Sequence, residues 1–232
     1  MKTLASILAL GLSAVAAHAD QARTVEASFY CFKNVPGAET IQILGGSAPA
    51  SVRLSAANIS NSVPLTVNGE LAIIGRTGST EPAAKVKIPA SLRKALVVLL
   101  PAPAGSSEAY QAFAIDYSRE NFRKGTYRLV NISRHAVRGA IGRSYAEVKS
   151  GGTGDIELQG DEGATQGAKF EFNDKGAWNR LTETRCAVRR DRRWLVVVHE
   201  DPVTQRMNLR SIPDRESQGT STQTIATADT GE

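Results

Sequence analysis

The sequence predicts an all-β protein: two Ig-like or related antiparallel β-sandwich units in tandem. Packing of the two as one pseudo-twofold body is the open alternative to separate domains. Three observations lead there. Apolar residues recur with a period of two, and almost nothing after the first residues shows a sustained 3.6 period. A stretch of the first half is echoed in the second. Each half also contains one continuous aliphatic run, the pattern of a strand covered on both faces.

The echo aligns Asn58-Ile59-Ser60 through Gly78 with Asn131-Ile132-Ser133 through Gly151 without a gap, and Gly69 falls on Gly142. Arg53-Leu54 and Arg128-Leu129 stand just before the two copies. The first copy has two more residues between Arg-Leu and Asn-Ile-Ser. An insertion of two keeps every later side chain on its face of a sheet. Leu96-Val97-Val98-Leu99 then matches Leu195-Val196-Val197-Val198, with Pro103 on Pro202.

Residues 1–19 read as an export signal. Lys2 precedes an apolar stretch, and Ala17-His18-Ala19 is an A-x-A cleavage site. No other run approaches the length of a membrane helix, so no integral membrane segment is expected after cleavage. The expected location is the periplasm or the exterior. The net charge is +5, or +4 once Lys2 is removed.

In chain order, Val25, Ala27, Phe29 and Cys31 alternate with Glu26, Ser28 and Tyr30 as a first strand. Gly45-Gly46 and Pro49 mark a turn. Pro64 belongs at a strand's edge or start, because it cannot donate to a central ladder. Asn68-Gly69 predicts a type I′ hairpin between two apolar segments. The first unit spans residues 20–117. Residues 118–125 are polar and charged and read as a linker or a single helical turn. The second unit, 126–216, carries an added hairpin between Phe170 and Val188. Residues 217–232 are rich in Ser, Thr, Gly and Ala and are expected to be disordered.

Cys31 and Cys186 are the two cysteines. In an exported chain they form either one disulfide or two buried thiols. A bridge would close a loop of about 155 residues and contribute roughly 5 kcal/mol in the chain-entropy view.

No catalytic motif is present. There is no G-x-S-x-G elbow, no metal-ligand spacing and no phosphate loop. No cofactor and no metal are expected. His199-Glu200-Asp201 reads as a polar strand end entering a turn. Asn58-Ile-Ser and Asn131-Ile-Ser are formal glycosylation sequons, and structurally they are turn starters. Arg123, Arg134, Arg138, Arg189, Arg190 and Arg193 are the basic residues that would form an anionic-ligand patch if the strands bring them to one face. An acidic glycan, another envelope component or a protein partner would suit such a patch. Nucleic acid would not, since the aromatics are not interleaved as a stacking platform. The plain alternative is a solvated face that keeps sheet edges apart.

The second copy's R-L-x-N-I-S…G, ending in L-V-V-V-x-x-D-P-V-T…L-R-S-I-P-D, resembles uncharacterised exported bacterial proteins of β-sandwich type over residues 126–214. The resemblance implies a fold and an exported location and no activity. The overall plan is also similar to periplasmic pilus chaperones, whose characteristic strand motif this chain lacks. The expectation is an exported, non-catalytic binding or scaffolding protein of the envelope. Its alternatives are a chaperone-like factor using an open sheet edge and a hydrolase whose carboxylates meet only in space.

Overall fold

The computed structural model describes residues 22–43 and 49–214. The expected export signal, the Gly45-Gly46 turn and the C-terminal tail lie outside them. The described chain is all β, with sixteen strands and no helix.

The first eight strands are β1 (Ala22–Cys31), β2 (Thr40–Ile43), β3 (Ala50–Arg53), β4 (Val63–Asn68), β5 (Leu71–Arg76), β6 (Pro82–Lys87), β7 (Lys94–Pro101) and β8 (Tyr110–Asp116). They form one sheet of order β3-β2-β5-β4-β1-β7-β8, with β6 on β5. β4 and β5 pair only at Asn68 and Leu71, and the sheet folds over there. One layer is thus β4-β1-β7-β8 and the other is β6-β5-β2-β3. Phe29, Leu65, Val97 and Leu99 meet Ile41, Ile74, Val86 and Ile88 between them.

The second eight are β9 (Thr126–Asn131), β10 (Val137–Ile141), β11 (Ser144–Val148), β12 (Thr153–Glu157), β13 (Thr165–Asp174), β14 (Ala177–Ala187), β15 (Trp194–Glu200) and β16 (Met207–Pro213). They form two four-stranded sheets, β12-β9-β15-β16 and β11-β10-β13-β14. Leu129, Val137, Ile156, Phe170, Val196 and Val198 fill the space between.

Antiparallel pairs predominate. Each unit adds one parallel pair that the sequence reading did not place: β1 with β7, and β9 with β15. The registers match, because Phe29 lies opposite Val97 and Leu129 opposite Val196. β1 and β9 are therefore equivalent. The Phe32 N–H bonds Leu99 O and the Ile132 N–H bonds Val198 O, both at 2.9 Å. This corrects the Arg-Leu anchor of the repeat. Arg128-Leu129 is central in β9, whose counterpart in the first unit is Ser28-Phe29, whereas Arg53 ends the short β3.

The aliphatic runs are covered on both faces by two different cores. Val97 and Leu99 of β7 enter the first unit's core, while Leu96, Val98 and Leu100 enter a third cluster. Val196 and Val198 of β15 enter the second unit's core, and Leu195 and Val197 join the third. That third cluster is the seam between the units. Equivalent residues contribute to it from both sides: Tyr30 and Val130, Leu96 and Leu195, Val98 and Val197, Ile115 and Ile212. A face packed on its own equivalent is the pattern of an isologous interface, here within one chain.

The repeated hairpin carries a second correction. Asn68-Gly69 is not the centre of the turn. Asn68 pairs with Leu71, so Gly69-Glu70 is the turn, and only Gly69 has a positive φ, 59°. That is the signature of a type II′ turn, not the expected I′. Gly142 repeats the same φ.

The two hairpins then part ways. β10 pairs on both edges, with Val137 opposite Val148 and opposite Phe172. Pro64 aligns with Val137. It has no N–H to give, and β4 pairs along its length with β1 only, meeting β5 at the single turn pair Asn68 and Leu71. Hence β4 stands beside β1 in the first unit, while β12 stands beside β9 in the second.

Residues 118–125, expected as a linker or a single helical turn, form a packed connection. The Phe122 N–H donates to Ser118 O at 3.0 Å, one α-type turn. Tyr117 and Phe122 are buried in the seam. Two buried arginines hold the segment. Arg128 grips Asp155 with two bonds of 2.7 Å and donates to Asp116 O at 3.0 Å and to Asn121 O. Arg193 pairs with Asp214 and donates to Phe122 O at 2.7 Å. Both guanidinium groups lie over the Phe122 ring, at 4.7 and 4.8 Å.

Candidate functional site

The cysteines are not bridged. Cys31 lies in the first unit's core and Cys186 against the second's, and both are free. Burial pushes both thiols up from their ordinary value, which disfavours the nucleophilic thiolate.

The six arginines do not share a face. Arg193 is buried and structural, as above. Arg138 on β10 bonds Glu171 at 2.7 Å and lies over the Trp178 ring at 4.2 Å. Arg123 bonds the carbonyl of Glu120. Arg189 pairs with Glu162 at 3.6 Å, and Arg190 donates to Gly160 O at 2.6 Å. These last three flank the starting ends of β9 and β15. Arg134 lies past the far end of β9, where it pairs with Glu200 at 2.8 Å. The expected patch is therefore dispersed. The reason is that the turn before Trp194 and the β9–β10 connection lie at opposite ends of two parallel strands.

What the packing creates instead is a cleft at the far end of the seam, of about 520 Å³. β1 runs out into it through Phe32-Lys33-Asn34, β7 through Leu100-Pro101, and β15 through His199. β16 closes the side with Asn208 and Arg210. Its size is that of a small-molecule site, roughly 300–1,000 Å³.

The floor is apolar, from Phe32, Leu100 and Pro101. The His199 ring meets the Phe32 ring edge-on at 4.5 Å. Its Nδ1 is buried with no partner of hydrogen-bond geometry. Arg210 donates from Nη1 to Phe32 O at 3.0 Å and lies 5.2 Å from that ring. Lys33 is exposed on the rim. Asp201 is committed to the β15–β16 turn, where its Oδ1 accepts the N–H groups of Val203 and Thr204.

Register shows how unusual these polar groups are. His199 occupies the place of Leu100 in the first unit, and Arg210 that of Phe113. An apolar seam position has been replaced by a polar one on one side only. Such departures from a consistent pattern are where function is expected. Lys33 and Arg210 carry no motif, and only the pairing of distant strands brings them to His199.

Burial pushes the His199 pKa below its ordinary value of 6.5, and the Arg210 charge adds to this; the Glu200 backbone and Asp201 oppose it. The folded state therefore favours neutral imidazole. The unfolded chain binds more protons below about pH 6.5, so stability is present above that pH and falls as pH drops through the depressed folded value. The urea midpoint of the native protein should decline on going from pH 7.5 to 5.5 more than that of His199→Gln. Equal declines would remove His199 as the cause.

Elsewhere, the Asn131 side chain is fully buried. Its amide donates to His135 O and Val148 O, and its Oδ1 accepts the Ser133 N–H. It starts the turn, as its position suggests, and burial closes it to glycosylation in the folded chain. Among the described residues no group of three or more His, Cys, Asp or Glu is arranged to hold a metal ion, and no helix is long and apolar enough to cross a membrane. No protein-family model matches the chain, and no curated protein matches it.

Proposed function

We propose that this is an exported envelope protein with a non-catalytic binding role, and that the seam cleft is its ligand site. One observation carries the reading: His199 and Arg210 stand in the cleft where the equivalent residues of the first unit are Leu100 and Phe113. An apolar floor with a cationic rim suits a ligand with an apolar body and an anionic end, such as an acylated or carboxylate-bearing envelope component. His199 makes no hydrogen bond to a Ser, Thr or Cys hydroxyl or thiol among the described residues, and the Asp201 carboxylate is spent on its turn. These features favour binding over hydrolysis.

A fatty-acid probe, dodecanoate, titrated into the ¹⁵N-labelled protein tests this. The expected shifts map to Lys33, Asn34, His199 and Asn208. Lys33→Glu should weaken binding about tenfold, roughly 1.4 kcal/mol, with unfolding unchanged because the side chain is exposed. Shifts confined to other surfaces, or equal affinity in the variant, would sink the proposal.

The chaperone-like alternative has one observation in its favour. β14 is an eleven-residue edge strand, paired on one side only and nowhere fully buried. Arg180, Glu183 and Arg185 stud it with charge, which is how natural edges resist strand addition. The cleft is the stronger reading.

A further inference from the structure

A second concave surface lies across the β15–β16 turn from the seam cleft. It encloses about 630 Å³ between three separate segments. The β9–β10 connection supplies Arg134 and His135, the β13–β14 hairpin supplies Asp174, Lys175 and Arg180, and the turn supplies Arg206. Four cations thus face one carboxylate.

Two of the four have carboxylate partners, Arg134 with Glu200 and Arg180 with Glu183. Lys175 and Arg206 make no ion pair among the described residues. Repulsion between cations gathered this way opposes folding, and an anion between them would relieve it.

The surroundings are held in place. His135 Nδ1 lies 2.9 Å from Asn173 O, its Nε2 is 3.4 Å from Arg134 Nε, and its ring meets Phe172 edge-on. Lys175, at φ 50°, and Gln205, at φ 55°, are the only non-glycine residues of the described chain with left-handed backbone, and both line this cleft. Such conformations cost about 1 kcal/mol or more and persist where the surroundings impose them. Here they present Lys175 at the hairpin tip and precede Arg206.

We propose that this cleft is a second, separate site that binds an oligoanion presenting at least two phosphoryl or carboxylate groups. Arginine forks suit either group through paired hydrogen bonds, and Lys175 adds a point charge. The site lies apart from the seam cleft and does not depend on the function proposed for it.

Calorimetric titration of the full-length protein with inorganic tripolyphosphate and, separately, with trigalacturonate tests the proposal. At least one probe should bind at low salt and weaken as salt is raised. Arg206→Glu and Lys175→Asn should each weaken it by about tenfold or more. Asparagine tolerates the left-handed backbone at 175, and a cooperative thermal transition no lower than that of the native protein would show that both variants are folded. Arg123→Glu, at the opposite end of β9, and Lys33→Glu, in the seam cleft, should leave affinity within about twofold. The probe that binds more tightly identifies phosphoryl or carboxylate as the source. Failure of both probes to bind, an unaffected Arg206→Glu, or an equal loss in Arg123→Glu would each overturn the proposal.

Discussion

Replacing Arg193 with alanine should destabilise the protein by about 3–5 kcal/mol, the usual cost of stranding a buried charge. Arg193 and Asp214 are both buried, and they pair directly. Tyr117 donates a 2.5 Å hydrogen bond to the same carboxylate. The arginine also satisfies the carbonyl of Phe122 and covers its ring. Removing it therefore leaves Asp214 short of a cation and Phe122 short of both a donor and a packing partner. For a chain of this size the melting temperature should fall by roughly 2–4 °C per kcal/mol. The Arg193→Ala/Asp214→Ala double variant should lose less than the two single losses together, because the stranded charge is gone. Strict additivity would show that the pair is not coupled.

Leu96→Ala should cost about 2–5 kcal/mol, the range for emptying a buried leucine site. Leu96 is fully buried, and it faces the seam, not the core of its own unit. The measurement that matters is the shape of the transition. Because equivalent aliphatic faces of both units are buried there, unfolding should remain a single cooperative step in the native protein and in the variant. Two resolved transitions in native protein would sink the view that the halves fold as one body. Leu99→Ala, which empties the first unit's own core, is the matched comparison and should show a similar loss.

Much of the fold was legible because its signals are local. The alternation from Val25 to Cys31 follows from the strand's period of two. The run from Leu96 to Leu100 required cover on both faces, and two separate cores supply it. Gly69 and Gly142 marked true turns, although the turn centre lies one residue later than expected and is of another type. The apolar residues Phe29, Leu54, Leu65, Val67, Val97, Leu99, Leu129, Val196 and Val198 are all buried, whereas Leu209 is only partly so.

The site was not legible. The six arginines fall in two sequence clusters, and strand pairing sets Arg134 at the opposite end of β9 and β15 from Arg123, Arg189 and Arg190. Lys33, His199 and Arg210 come from β1's exit, β15 and β16. Lys175, Arg180 and Arg206 come from a hairpin and a distant turn. No spacing within the chain relates them.

The amino-acid sequence alone determined the all-β class, the repeated unit, the doubly covered strands and the turn glycines, since each rests on a few adjacent residues and the geometry of the strand. Only tertiary structure decided which strand stands beside each parallel pair. There Pro64, lacking an N–H, leaves β4 a full ladder with β1 alone and a single turn pair with β5, while Val137 lets β10 pair along both edges. The seam, the cleft at its end and the polar residues that break its symmetry were likewise decided by contacts between distant parts of the chain, as where His199 and Arg210 meet Phe32. Local periodicity carries no information about such contacts.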